Sequence, residues 1–135
     1  TGVQTCALPI CLTGIFVLCM LFGFNHQQYV TMLPKSITTA IGIGISEELG
    51  GIVTITVAVI IITGILGNVI ADTVFHIFKI KNPLAKGLAL GTASHAIGTA
   101  RAIEMGPVEG AMSSLAVAVA GLLTVVFVSG FAQLI

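Results

Sequence analysis

The sequence predicts an all-α integral membrane protein, a polytopic helical bundle with two discontinuous or re-entrant segments. Three observations carry that reading. The 135-residue chain is 56% hydrophobic and only 7% charged, whereas soluble domains hold about 25% charged residues. Its mean hydropathy is +1.15. Two stretches rich in glycine and hydroxyl groups, 34–51 and 91–106, flank a clean apolar run at 52–71. At about 20 residues per span, the length allows four or five membrane-level segments. The formal net charge is zero, so nothing points to nucleic acid.

The elements follow in order. Residues 1–10, TGVQTCALPI, read as a leader foreign to the rest. The chain opens on Thr1 and stops at Ile135 inside an apolar run, so both ends read as those of a fragment, with 11–135 as one partial membrane domain. Residues 7–24 carry no charge and predict a transmembrane helix. They lack the basic leading region and small-residue cleavage site of a signal peptide. Cys6, Cys11 and Cys19 are odd in number and form no CxxC, so they read as small core residues rather than a disulfide framework.

NHQQYVTM, 25–32, reads as a short polar connection with Tyr29 near the interface. The stretch 34–51 contains Pro34, Lys35, Ser36, Thr38, Thr39, Gly42 and Gly44, and is too polar and too short for an ordinary span. Glu47 and Glu48 then mark an aqueous end. Residues 52–71 are the clearest helix, with Asn68 and Asp72 near its interfacial end. Lys79, Lys81 and Lys86 cluster around the Asn82-Pro83 turn, and the positive-inside rule places this loop, 79–86, in the cytoplasm. Residues 111–135 form a further apolar span, whose Ala116, Ala120 and Gly121 suit close helix packing.

The stretch GTASHAIGTARAIEMG, 91–106, carries the chemistry. On a continuous helix Thr92, His95 and Thr99 share one face, and Ser94, Gly98 and Arg101 share a neighbouring one. Small residues predict a segment buried among other helices. An arginine at membrane depth is expensive and persists where it meets a cavity or a partner. Arg101 therefore reads either as an anion ligand in a substrate cavity or as an interfacial side chain reaching the headgroups, with Glu104 as its nearest ion-pair candidate. His95 reads either as a hydrogen-bonded packing residue or as a proton carrier, since imidazole titrates near neutral pH.

No metal site is expected, because no second His or Cys lies at ligand spacing. No phosphate loop or Ser-His-Asp set is supported, so neither an enzyme nor a cofactor site is expected. Two polar, glycine-interrupted segments beside one clean helix instead suggest broken helices, which membranes tolerate where the unwound backbone lines a cavity or is buried in protein. Broken ends bring helix dipoles and free N–H groups to mid-depth, a way to hold an anionic substrate. TTAIG (38–42) and SHAIG (94–98) share an ending that fits a worn inverted repeat and chance equally well.

The runs LPKSITTAIGIGISEELGGI and KNPLAKGLALGTASHAIGTARAIEMGPVEGAMSSLAVAVAGLLTVV together resemble the C-terminal half of the LrgB/CidB family over roughly residues 12–135. The family pattern places proline after the paired threonines, where this chain has Ala40. The resemblance implies a multi-pass protein of the bacterial inner membrane, in contact with lipid, with a small LrgA/CidA-type membrane partner and room for a homo-oligomer. Family members are described as holin/antiholin-like modulators of murein hydrolase activity and lysis. Plastid relatives carry glycolate and glycerate, and bacterial ones are linked to pyruvate.

Two function classes follow. In the first, the protein moves small monocarboxylates: Arg101 pairs with the carboxylate, Thr92, Ser94, Thr99, Ser36, Thr38 and Thr39 bond the hydroxyl or keto oxygen, and His95 shuttles a proton. In the second, it is a non-transporting regulator acting through helix contacts, and the same polar groups are packing bonds.

Overall fold

A computed structural model describes residues 2–134. Every regular element among the described residues is helical: α1 (Gly2–Leu21), α2 (His26–Met32), α3 (Thr39–Glu48), α4 (Val53–Ile77), α5 (Pro83–Met105) and α6 (Pro107–Ala132), with a 3-10 turn, Leu33–Ser36, between α2 and α3. α4 and α6 are long and apolar enough to cross a membrane. Ile62 and Val69 on α4, and Leu122 and Val126 on α6, stand exposed, a surface that lipid suits and water does not. Residues 2–10 form the first half of α1, with Leu8 buried. The apolar part of α1, Thr5–Leu21, is shorter than α4 or α6.

The connection expected at 25–32 is a helix. Asn25 accepts from the Gln28 amide at 2.9 Å, and Gln28 accepts from the Asn25 amide at 3.0 Å. This capping box satisfies two otherwise orphaned donors and starts α2. Tyr29 is fully buried. A buried phenol needs an acceptor, and Tyr29 donates to the Phe131 carbonyl at 2.8 Å, tying α2 to the end of α6.

α5 reverses direction at His95, which has φ 44 and ψ −126. A rise of about 1.5 Å per residue would carry a continuous helix far from Leu90 by the time it reached Gly98. Instead, a Cβ on Gly98 would stand 2.6 Å from the Leu90 carbonyl oxygen. Gly87 packs on Glu109 and Met112, while Ile103 packs on Gly110, so the two ends of α5 lie at the same level of α6. α5 is thus a helical hairpin with arms 83–94 and 96–105 and His95 at its tip. The two faces expected from a continuous wheel do not persist across residue 95.

α2, the 3-10 turn and α3 make a second hairpin. Ile37 (φ −140, ψ 171) and Thr38 (φ −64, ψ 144) are extended, and α3 runs back from Thr39. Pro34, with no amide hydrogen to donate, sits where the chain leaves α2. Ala40 therefore does not restore a continuous helix, because the break lies before it. At the base of this hairpin the Ile52 amide donates to Thr31 Oγ1 at 2.8 Å. Thr56 Oγ1 donates to the Thr31 carbonyl at 2.9 Å and bonds Ser46 Oγ at 2.8 Å.

The hairpins correspond at several positions. Gly42 faces the Pro34 carbonyl as Gly98 faces that of Leu90. Ala40-Ile41-Gly42, Glu48 and Gly50 recur as Ala96-Ile97-Gly98, Glu104 and Gly106 at the same spacing. The first hairpin has its base at the start of α4, through Thr56. The second has its base toward the end of α4, where Asp72 pairs with Arg101. The two units enter from opposite ends, which makes them an inverted repeat.

Candidate functional site

The tips meet at the middle of the long helices. Along α4, Gly42 packs on Ile60, Ile97 on Gly64 and Ser94 on Gly67. Along α6, Gly91 packs on Ser113 and Ala116, and Ile41 on Gly121. The 3-10 turn touches all six helices. Close approach is what requires glycine here: a Cβ on Gly67 would collide with Ser94 Oγ, and one on Gly91 would stand 2.4 Å from the Ser113 carbonyl.

Between the tips lies a cavity of about 410 Å³. Lys35 and Ser36 line it from the first hairpin, Thr92 and Ala93 from the second, Cys11 from α1 and Thr63 from α4. Ser36 and Thr92 hold equivalent places in the two repeats. Lys35 Nζ donates to Ser36 Oγ at 2.9 Å and to Cys11 Sγ at 3.8 Å. Cys11 Sγ lies 3.3 Å from Ser36 Oγ. Thr92 Oγ1 donates to the Leu88 carbonyl at 2.6 Å.

Two buried polar atoms at the second tip, Ser94 Oγ and His95 Nε2, have no hydrogen-bond partner among the described residues. Both residues are at least 96% buried, with relative exposures of 1% and 4%. Buried polar groups are ordinarily satisfied, so two orphaned atoms side by side at one tip stand out. His95 also holds a positive φ, a conformation costing on the order of 1–3 kcal/mol that clusters at functional sites.

The remaining expected residues divide between tip and base. Thr38 caps α3 without a side-chain bond, and Thr39 begins it, beside the first tip. Thr99 Oγ1 donates to the His95 carbonyl at 2.8 Å and bonds Ser113 Oγ at 2.8 Å, which ties the returning arm to α6. Arg101 lies near the base of the hairpin. Its Nη1 donates to Glu104 Oε2 at 2.8 Å and its Nη2 to Asp72 Oδ2. The side chain is 35% exposed, and two carboxylates already share its charge. Ser36, Thr92, Ser94 and His95 therefore gather at the tips, while Arg101 stands apart.

Two residues gained importance only with the structure. Lys35 was noted as part of a polar boundary, and nothing in the sequence put its charge at the tip. Asp72, exposed near the end of α4, is a partner of Arg101 that the sequence did not pair with it. A second cavity, about 570 Å³, lies at the loop end of α4, lined by Asp72, His76, Lys79, Lys81 and Lys86 among others. Among the described residues no three His, Cys, Asp or Glu side chains stand together as a metal would need.

Comparison with known proteins identifies the family. The profile of the LrgB-like family matches residues 2–134. The chain is 44% identical over 117 residues to the antiholin-like protein LrgB of Bacillus cereus (strain B4264), covering 87% of this chain and 51% of that protein. The same figures hold for the antiholin-like protein LrgB of Bacillus anthracis (strain A0248). The chain thus spans about half the length of the curated relatives it matches. No solved structure matches.

Proposed function

The chain belongs to the LrgB-like family, and from that premise we propose that it is the part of a multi-pass bacterial inner-membrane protein that moves small monocarboxylates of the pyruvate or glycolate kind, a carrier rather than an enzyme. The observation that supports this reading best is the meeting of two oppositely entering hairpin tips at the middle of α4 and α6, beside a mostly apolar cavity into which Lys35, Ser36 and Thr92 bring polar groups. Broken helices at mid-depth bring N-terminal dipole ends and hydroxyls to a place where an anion can be held. Ser36 and Thr92 bond the hydroxyl or keto oxygen, with Ser94, Thr38 and Thr39 close by. His95, unpartnered at the tip, passes the coupled proton. Lys79, Lys81 and Lys86 put the base of the second hairpin on the cytoplasmic side.

The second reading is a holin/antiholin-like regulator of murein hydrolase activity working with an LrgA/CidA-type partner; its antiholin-like part is favoured by the name the relatives carry. Two experiments separate them. Proteoliposomes holding the protein expressed from its own gene are tested for saturable uptake of labelled glycolate and pyruvate. In parallel, a small membrane partner is sought by crosslinking in cells. Saturable uptake by the pure protein supports the carrier. No uptake, together with a crosslinked partner whose loss alters lysis, supports the regulator.

A further inference from the structure

Resting on the carboxylate reading, we propose that Lys35 at the tip of the first hairpin, rather than Arg101, supplies the charge that holds the substrate carboxylate, in the cavity bordered by Ser36, Thr92 and Cys11. The argument is one of charge balance at depth. Both known acceptors of the Arg101 guanidinium are carboxylates, Asp72 and Glu104, so its fork geometry is spent inside the protein. Lys35 has no carboxylate partner among the described residues; its ammonium donates to a hydroxyl and a thiol.

An ammonium in a partly buried, low-dielectric place is stabilised by an anion and costly without one. Lysine offers three donors. Ser36 takes one in a good hydrogen bond, and the 3.8 Å contact to Cys11 is a weak second. That leaves capacity for a carboxylate oxygen. The cavity of about 410 Å³ admits an acid of two or three carbons. Thr92, arriving from the opposite repeat, faces the same space.

The equivalent position in the second hairpin is Gly91, pressed against Ser113 and Ala116 with no room for a side chain. The inverted repeat is therefore asymmetric in its charge. One hairpin brings the cation, and the other brings the close-packed wall and the unpartnered Ser94 and His95.

The test uses the protein expressed from its own gene and purified in detergent, with glycolate, lactate and pyruvate as probes. Ligand-dependent thermal shift gives affinity, and proteoliposome uptake gives flux. Lys35→Gln is expected to weaken binding on the order of 10–100-fold, the loss of one charge-assisted bond. Lys35→Arg is expected to keep part of it, and Arg101→Gln to leave affinity within about threefold. The Cys11 thiol supplies a readout needing no substitution at Lys35: ligand should slow its alkylation by a charged maleimide several-fold in the unmodified protein.

If Lys35→Gln binds as tightly as the parent, or if ligand leaves Cys11 alkylation unchanged while the parent binds, the assignment of Lys35 is overturned and the carboxylate reading survives. If the parent shows neither a thermal shift nor uptake with any of the three acids, the carboxylate reading falls and takes this inference with it.

Discussion

Gly98 lies against the carbonyl oxygen of Leu90, at a place where a Cβ would come within 2.6 Å. The neighbour is backbone and cannot move aside as a flexible side chain would. Gly98→Leu is therefore expected to open the second hairpin and cost about 1–3 kcal/mol or more, as overpacking does. Gly44 has nothing near its Cβ position, so Gly44→Ala is expected to be neutral or mildly stabilising. Melting both variants in detergent checks the pair, and equal melting temperatures would remove the hairpin argument.

The sequence showed the two interruptions because composition alone marks them: glycine, serine and threonine where lipid-facing helix should be. It also showed Ala-Ile-Gly twice. It could not show the reversal at His95, because the turn resides in one residue's backbone angles, and a helical wheel assumes those angles never occur. The wheel then grouped Arg101 with Ser94, whereas the hairpin carries Arg101 back toward Asp72, a partner on another helix. The burial of Tyr29 was hidden for a related reason. Its polar neighbours suggested an interface, but its acceptor at Phe131 is far away in sequence.

The ion pair of Arg101 with Asp72 clasps the returning arm of the hairpin to α4. Asp72→Asn and Arg101→Gln are each expected to speed amide hydrogen exchange in 96–105, and the double variant to add little, because both remove one clasp. These side chains are substantially exposed, so high salt should reproduce part of the effect in the parent. Additive increases in the double variant would show that the two residues act separately.

Thr56 is fully buried and bonds both the Thr31 carbonyl and Ser46 Oγ. Thr56→Val keeps the shape and leaves those two groups without their partner, at a cost of about 1–3 kcal/mol. Ser46→Ala removes only one bond and should cost less. The ranking is read from thermal melts of the two variants, and it fails if Ser46→Ala proves the more damaging.

His95 tests strain and function together. Its φ of 44 with ψ −126 suits glycine, strains other residues, and penalises β-branched side chains most. His95→Val should therefore destabilise the protein, whereas His95→Asn should fold with little loss and His95→Gly should gain what strain relief offers, up to about 1–3 kcal/mol. The asparagine variant then isolates the imidazole. It keeps a hydrogen-bonding group at the tip but cannot carry a proton in the neutral range. If His95 passes the coupled proton, His95→Asn should retain carboxylate binding while losing uptake driven by an imposed pH gradient. An asparagine variant that still accumulates substrate along that gradient would confine His95 to shaping the hairpin.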